Sequence, residues 1–184
     1  MQHMKNKQPL QASGHTTIAR LRGYSGRMTK QIFVLLHNIR SVHNVGSIFR
    51  TCDALGVDTV YISGYTPKPL DRFGRARSDV AKVALGAEKN VKWEEIKNPK
   101  KLLAEMKKIC VKIIALEQAE NSVDYKKVKI TGDTIFIFGN EVDGVEKNIL
   151  SLADTVAEIP MRGKKESLNV SVAFGVAMFR MLNL

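Results

Sequence analysis

Two short uncharged runs limit what this chain can become. Ile32-Phe33-Val34-Leu35-Leu36 and Thr134-Ile135-Phe136-Ile137-Phe138 are strand-length stretches with almost no polar residue in them. A strand with one wet face alternates apolar and polar residues. A run without alternation suits a strand covered on both faces, as in a parallel sheet between two layers of helices. Shorter strand-like runs recur at residues 59–62, 91–93, 111–116 and 156–159. Helical patterns separate them, near 44–55, 80–87, 99–110, 146–152 and 167–182. Strands alternating with helices predict an α/β domain with a mainly parallel sheet and helices on both faces. A chain of 184 residues is long enough for one such domain with a real core.

Several connections carry chemistry. After the first run, Val45, Ile48, Phe49, Cys52 and Leu55 recur at spacings of three and four. That spacing predicts a helix from about Asn44, stopped by Gly56. Asn44, Ser47 and Arg50 then fall near one face, close to the loop the helix leaves. After the second run, Gly139-Asn140-Glu141-Val142-Asp143-Gly144 places two glycines and a carboxylate on a tight turn, which suits close approach of a ligand to backbone. The last strand runs into Pro160 and a basic turn with Lys164 and Lys165. Ser167 then reads as the N-cap of a C-terminal helix. That helix is apolar nearly all round, as expected of one buried on more than one side, and predicts a subunit interface. In open α/β sheets, loops at the carboxyl ends of strands bind ligands. Each of these segments also reads as an ordinary strand–loop–helix connection.

Lys and Arg number 29 against 18 Asp and Glu, a net charge of +11, which favours a polyanionic partner such as nucleic acid. Six of those cations (Lys5, Lys7, Arg20, Arg22, Arg27 and Lys30) lie in residues 1–30, which contain no Asp or Glu. Residues 1–29 are expected to form a flexible basic arm ahead of a domain over 30–184. Arg20, Arg22 and Arg27 are candidate RNA contacts there. The long 63–79 loop adds Arg72, Arg75 and Arg77, and could equally be a disordered insertion; the turn after Pro160 adds Lys164 and Lys165 as candidate RNA contacts. Cys52 and Cys110 lack metal-ligand spacing and read as reduced, buried and structural, which suits a cytoplasmic protein. No apolar run reaches the ~20 residues of a membrane span, and no apolar signal core opens the chain, so neither a membrane nor secretion is expected.

The chain has no GxGxxG after its first strand and no P-loop, so the dinucleotide and Walker sites are unsupported. No His/Cys/Asp cluster has metal-ligand spacing, so no metal is expected. His37 and His43 read as structural or surface residues, and Trp93 as core.

Three segments together carry a family likeness. Asn44-Val45-Gly46-Ser47-Ile48-Phe49-Arg50 resembles the first motif of the SpoU/TrmH group of SPOUT RNA methyltransferases. Phe138 to Gly144 resembles the second. Ile159-Pro160-Met161, continuing through Ser167-Leu168-Asn169-Val170-Ser171-Val172-Ala173, resembles the third. Order and spacing agree over about residues 30–184. The resemblance implies an α/β domain with a deep C-terminal trefoil knot, an S-adenosylmethionine site in that knot, a homodimer, and methyl transfer to a ribose 2′-hydroxyl of tRNA or rRNA. It assigns the catalytic arginine to Arg50, supporting polar groups to Asn44 and Glu141, and the third motif's polar pair to Ser167 and Asn169. It assigns the cofactor's surroundings to Leu116, Gly139, Ile159, Met161 and Leu168. Expected to act on the hydroxyl and the neighbouring phosphate, Arg50 would be fixed by Glu141 and Asn44 and would serve as base or as oxyanion stabiliser. A non-catalytic RNA-binding protein of this fold and a base-directed methyltransferase are the alternatives. The Ser167-Leu168-Asn169 pattern favours ribose, and the identity of the RNA and of its nucleotide is open.

Overall fold

The computed structural model describes residues 30–184, so Arg20, Arg22, Arg27 and the predicted arm lie outside the described residues. In chain order the elements are β1 (Ile32–His37), α1 (Val42–Leu55), β2 (Thr59–Ser63), α2 (Ser78–Ala84), α3 (Ala87–Asn90), β3 (Trp93–Ile96) and α4 (Pro99–Lys108). They continue with β4 (Lys112–Leu116), β5 (Val123–Asp124), a 3-10 turn (Tyr125–Lys127), β6 (Thr134–Phe138), α5 (Lys147–Leu150), β7 (Thr155–Glu158) and α6 (Val170–Leu182). The strands form one sheet in the order β3-β2-β1-β6-β4-β7-β5, and every pairing is parallel.

The two uncharged runs are the central pair, β1 beside β6, with Val34 opposite Phe136 and Leu35 opposite Ile137. Their side chains divide between two cores. Ile32, Val34, Leu36, Phe136 and Phe138 pack on one face with Val45, Ile48, Phe49 and Cys52 of α1 and Phe174, Ala177, Met178 and Met181 of α6. Phe33, Leu35, Ile135 and Ile137 pack on the other with Leu102, Leu103 and Met106 of α4 and Ile149 of α5. With both faces covered, period-2 alternation has no reason to appear.

Local signals explain the helix ends. The Ser41 hydroxyl accepts from the Asn44 N–H and opens α1, and Gly56 at φ 65° closes it. Asn98 caps α4, with Pro99 in its first turn. Gly46 lets α2 approach α1, since a Cβ there would lie 2.7 Å from Cβ of Val83.

Several boundaries differ from expectation. The last helix begins at Val170, and its N-cap is Asn169, whose side chain accepts from the Ser171 N–H, not Ser167. Both residue types cap well, so type alone could not choose between them. α6 buries one face only in this chain. Val172 (51%), Val176 (42%) and Phe179 (41%) remain exposed on it. β3 starts at Trp93, later than the sequence suggests, because an edge strand carrying Glu94 and Glu95 has little apolar signature. The two-residue β5 was not expected at all. Cys52 is buried as expected, and burial pushes its thiol pKa up, with the Asp53 charge adding to the shift. Cys110 is exposed, because α4 ends at Lys108 and leaves it in the following turn at φ 64°. The 63–79 loop is bridged across itself by Leu70 and Ala76.

Phe174 is fully buried, with its ring centroid 4.7 Å from that of Phe138. Phe174→Ala is expected to cost about 3–5 kcal/mol of folding stability. Urea unfolding at pH 7 measures this.

Candidate functional site

Because all strands run the same way, the loops leaving β1, β2, β4, β6 and β7 share one edge of the sheet, and three of them interlock. The Asn140 N–H donates to the Gly144 carbonyl (2.9 Å) and the Gly144 N–H to the Asn140 carbonyl (3.0 Å), closing the β6 turn. The Asn140 side-chain oxygen accepts from the N–H groups of Val142 (2.7 Å) and Asp143 (2.8 Å) inside it. Gly144 holds φ 67°, and a Cβ there would run into the Glu117 carboxylate. Glu117, just beyond β4, accepts from the Val145 N–H (2.8 Å) and joins the β4 and β6 loops. Gln118 donates to the Glu166 carbonyl (2.6 Å) and joins the β4 loop to the one after β7.

Between these loops lies a cavity of about 300 Å³. Leu116, Phe138, Ile159, Met161 and Leu168 supply its apolar lining. Glu117, Gln118, Glu141, Glu158 and Ser167 supply polar groups. The five residues assigned to the cofactor by resemblance, Leu116, Gly139, Ile159, Met161 and Leu168, all line it. Its size and mixed lining fit a nucleoside carrying a charged tail.

Above the cavity runs a polar relay across all three motif segments. The Asn169 amide donates to the Asn44 side-chain oxygen (3.0 Å), and the Asn44 amide donates to Glu141 (2.8 Å). The same carboxylate accepts from the backbone N–H groups of Arg40 (2.9 Å) and Ser41 (3.1 Å). Partial burial opposes ionisation of Glu141. The N–H groups of Arg40 and Ser41 and the Asn44 amide outweigh that, and the net effect holds its carboxyl below the usual range. The carboxylate also lies at the start of α1, where helix geometry favours negative charge.

Glu141 and Asn44 do not clasp Arg50 as expected. Among the described residues Arg50 makes no hydrogen bond or ion pair, and its side chain is exposed on α1. The two polar groups instead fix the helix that carries it. Ser167 lines the cavity without a hydrogen bond among the described residues. Lys164 and Lys165 are exposed on the loop after β7. In the 63–79 loop, Arg75 pairs with Asp71 (2.8 Å) and Arg77 with Asp79, so two of the three candidate RNA contacts there already have carboxylate partners. Glu117, Gln118 and Asn140 were missed in the sequence, although each follows a strand at this same edge. His37 is structural: it is buried, with Nδ1 2.7 Å from the Ser63 hydroxyl and Nε2 3.1 Å from Glu146. His43 is exposed on α1. Trp93 is partly buried against the core beside α1. No group of His, Cys, Asp and Glu among the described residues could hold a metal ion. No helix among them is long and apolar enough to cross a membrane.

Comparison with known proteins gives a consistent set of relatives. The SpoU rRNA Methylase family matches residues 31–179. The tRNA (guanosine(18)-2′-O)-methyltransferase of Aquifex aeolicus (strain VF5) is 34% identical over 162 residues, covering 88% of this chain and 74% of the relative. The 23S rRNA (guanosine-2′-O-)-methyltransferase RlmB of Neisseria meningitidis serogroup B is 31% identical over 147 residues, 80% of this chain but 56% of the relative. Among solved structures, the A. aeolicus TrmH/SpoU tRNA modifying enzyme superposes with a TM-score of 0.74 at 32% identity, over 90% of this chain and 81% of that one. The SpoU methyltransferase AviRb from Streptomyces viridochromogenes in complex with AdoMet gives a TM-score of 0.74 at 20% identity, over 86% of this chain and 62% of that one, a likeness of fold.

Glu141 also yields a pH prediction. A lowered folded-state pKa contributes stability that is complete above the unfolded value, near 4.5, and is lost as pH falls through the lower folded value. Glu141→Gln is therefore expected to be about 1–3 kcal/mol less stable than the parent at pH 7. The gap should close below pH 4.5, as read by urea unfolding across pH 3 to 8.

Proposed function

The chain belongs to the SpoU rRNA methylase family, and we propose that it transfers the methyl group of S-adenosylmethionine to a ribose 2′-hydroxyl of tRNA or rRNA. The observation that carries this reading is that the second and third motif segments line one cavity at the carboxyl edge of the sheet, and the Asn169–Asn44–Glu141 relay ties the first motif segment to both. We take residues 30–184 as the methyltransferase domain, with the knotted C-terminal passage of the family's fold, and residues 1–29 as a basic arm that adds phosphate contacts. A cytoplasmic location suits RNA as substrate.

S-adenosylmethionine supplies an electrophilic methyl group on a sulfonium. The rest falls to the chain. Leu116, Ile159, Met161 and Leu168 provide an apolar bed for the adenosyl part, and Gly139, where a Cβ would run into the Gly144 and Val145 backbone, lets the β6 turn close tightly beside it. Holding the reacting groups in line removes several kcal/mol of barrier by prior loss of translational and rotational freedom. A ribose hydroxyl also has to lose its proton as it attacks. We assign Arg50 to the oxyanion that forms: its planar guanidinium, which carries donors and no acceptor, can engage a phosphate and the hydroxyl oxygen together while the proton passes to water. Asn44 and Glu141 act through the position of α1. Ser167, on the rim, is available to the incoming ribose.

The exposed side of α6, with Val172, Val176 and Phe179, supports a homodimer. Val176→Glu is expected to shift the species seen by sedimentation equilibrium toward monomer.

The reading is tested by transfer of labelled methyl from S-adenosylmethionine to total tRNA and to rRNA separately, with nucleoside analysis. The expected product is a 2′-O-methylnucleoside in one pool. Arg50→Ala is expected to lower turnover by about 10²–10⁴-fold while S-adenosylmethionine affinity is kept. Arg50→Lys should fail similarly, and near-normal turnover in that variant would remove the paired-contact role. A methylated base as product would replace ribose chemistry with base chemistry.

A further inference from the structure

The 63–79 loop is built around one exposed ring. The loop leaves the carboxyl end of β2, so its root lies on the same edge as the cavity. With β1 between β2 and β6, that root is two strand spacings, about 10 Å, from the β6 turn. The root is tied to the turn directly. The Asn140 amide donates to the Tyr65 hydroxyl (2.6 Å), and the Tyr65 N–H donates to the Asn38 side chain (3.3 Å). Thr66 accepts from the Ile39 N–H (3.0 Å).

Further out, Leu70 and Ala76 bridge the two arms of the loop, and Asp71 organises the tip. Its carboxylate accepts from the N–H groups of Phe73 (2.8 Å) and Arg75 (2.9 Å), and its backbone N–H donates to the Arg75 carbonyl (2.8 Å). Phe73 at the apex is 65% exposed and belongs to neither core. The Arg72 guanidinium carbon lies 4.7 Å from its ring centroid and that of Arg75 4.9 Å, with the Arg75 guanidinium held by Asp71.

The folding of this tip needs no phenyl ring at position 73, because the turn is closed by Asp71 and backbone groups. The ring is nevertheless presented in a fixed place, so a ligand meets it without having to order the loop first. Its neighbours choose the class of ligand. An apolar protein partner is served by a ring among other apolar groups. Here the ring lies among guanidinium groups, which suits a flat π-system joined to negative charge. We propose that Phe73, with Arg72 and Arg75, is a stacking platform for an unpaired base of the RNA substrate, a neighbour of the nucleotide presented at the cavity. This rests on the reading of the chain as an RNA methyltransferase.

Two measurements on the full chain separate the platform from that reading. In methyl transfer to the RNA pool that the parent accepts, Phe73→Ala is expected to raise the RNA KM about tenfold. Turnover at saturation and S-adenosylmethionine affinity should hold, and Phe73→Tyr should restore the parent KM. An unchanged KM in Phe73→Ala, or a Tyr variant as poor as Ala, overturns the proposal. If the parent methylates no RNA, the functional reading fails by itself, and the platform is read through Phe73→Trp. The added tryptophan emission, taken against the parent, should be quenched saturably by an unstructured RNA oligonucleotide and much less by a duplex of the same sequence. No quenching, equal quenching by the duplex, or equal quenching by a polyphosphate chain of the same charge would mean that base stacking is not what the tip does.

Discussion

The relay from Asn169 through Asn44 to Glu141 has a direction that chemistry fixes at both ends. A carboxylate can only accept, so the Asn44 amide must present its NH₂ to Glu141 and its oxygen to Asn169. Asn169 must then present its own NH₂ to Asn44, which leaves its oxygen for the Ser171 N–H at the start of α6. One asparagine thus caps a helix and closes a tertiary contact, and neither role is possible with the amide reversed. The relay sets the starts of α1 and α6 relative to the β6 turn, and the loops around the cavity are arranged between these three points.

Glu117 and Gln118 complete this arrangement from the other side. The Glu117 carboxylate accepts from the N–H groups of Gln118 (2.8 Å) and Val145, so one short segment after β4 is anchored to itself and to the β6 turn. The Gln118 contact to the Glu166 carbonyl does the same for the loop after β7. Two backbone groups of these loops thus find partners in a neighbouring loop, the Val145 N–H in the Glu117 carboxylate and the Glu166 carbonyl in the Gln118 amide. The cavity is therefore defined by polar contacts at its rim as much as by the apolar residues beneath it.

What could be read from the sequence followed from how strongly each residue was determined locally. The buried strands were legible because parallel packing leaves a continuous apolar run, and α1 because Ser41 and Gly56 bracket a regular repeat. The motif residues were legible by resemblance, and the structure brings Leu116, Gly139, Ile159, Met161 and Leu168 to one cavity. Edge strands were legible only in part: a strand was expected at 91–93, but Glu94 and Glu95 hide the bounds of β3, and the two-residue β5 gave no signal. Contacts between loops were not legible. Nothing in the sequence near Glu117 points to Val145, 28 positions away, and nothing near Asn169 points to Asn44, 125 positions away. Ser167 and Asn169 were equivalent as caps until the tertiary contact to Asn44 favoured the second.

The commitments of the carboxylates bear on how Arg50 can work. Bonded to Arg50, Glu141 would have neutralised the guanidinium and occupied the donors that a phosphate needs. Glu141 instead takes three N–H donors around the start of α1, and Asp71 and Asp79 are occupied by Arg75 and Arg77. Arg50 keeps its full set of donors, with no partner among the described residues. In the proposed reaction an arginine with no partner among the described residues gains little until RNA covers it. Once covered, in a setting of lower dielectric, its contacts with phosphate and with a hydroxyl losing its proton strengthen together. In the proposed reaction the RNA itself completes the site around Arg50, so the guanidinium reaches its working environment only when the ribose to be methylated is in place.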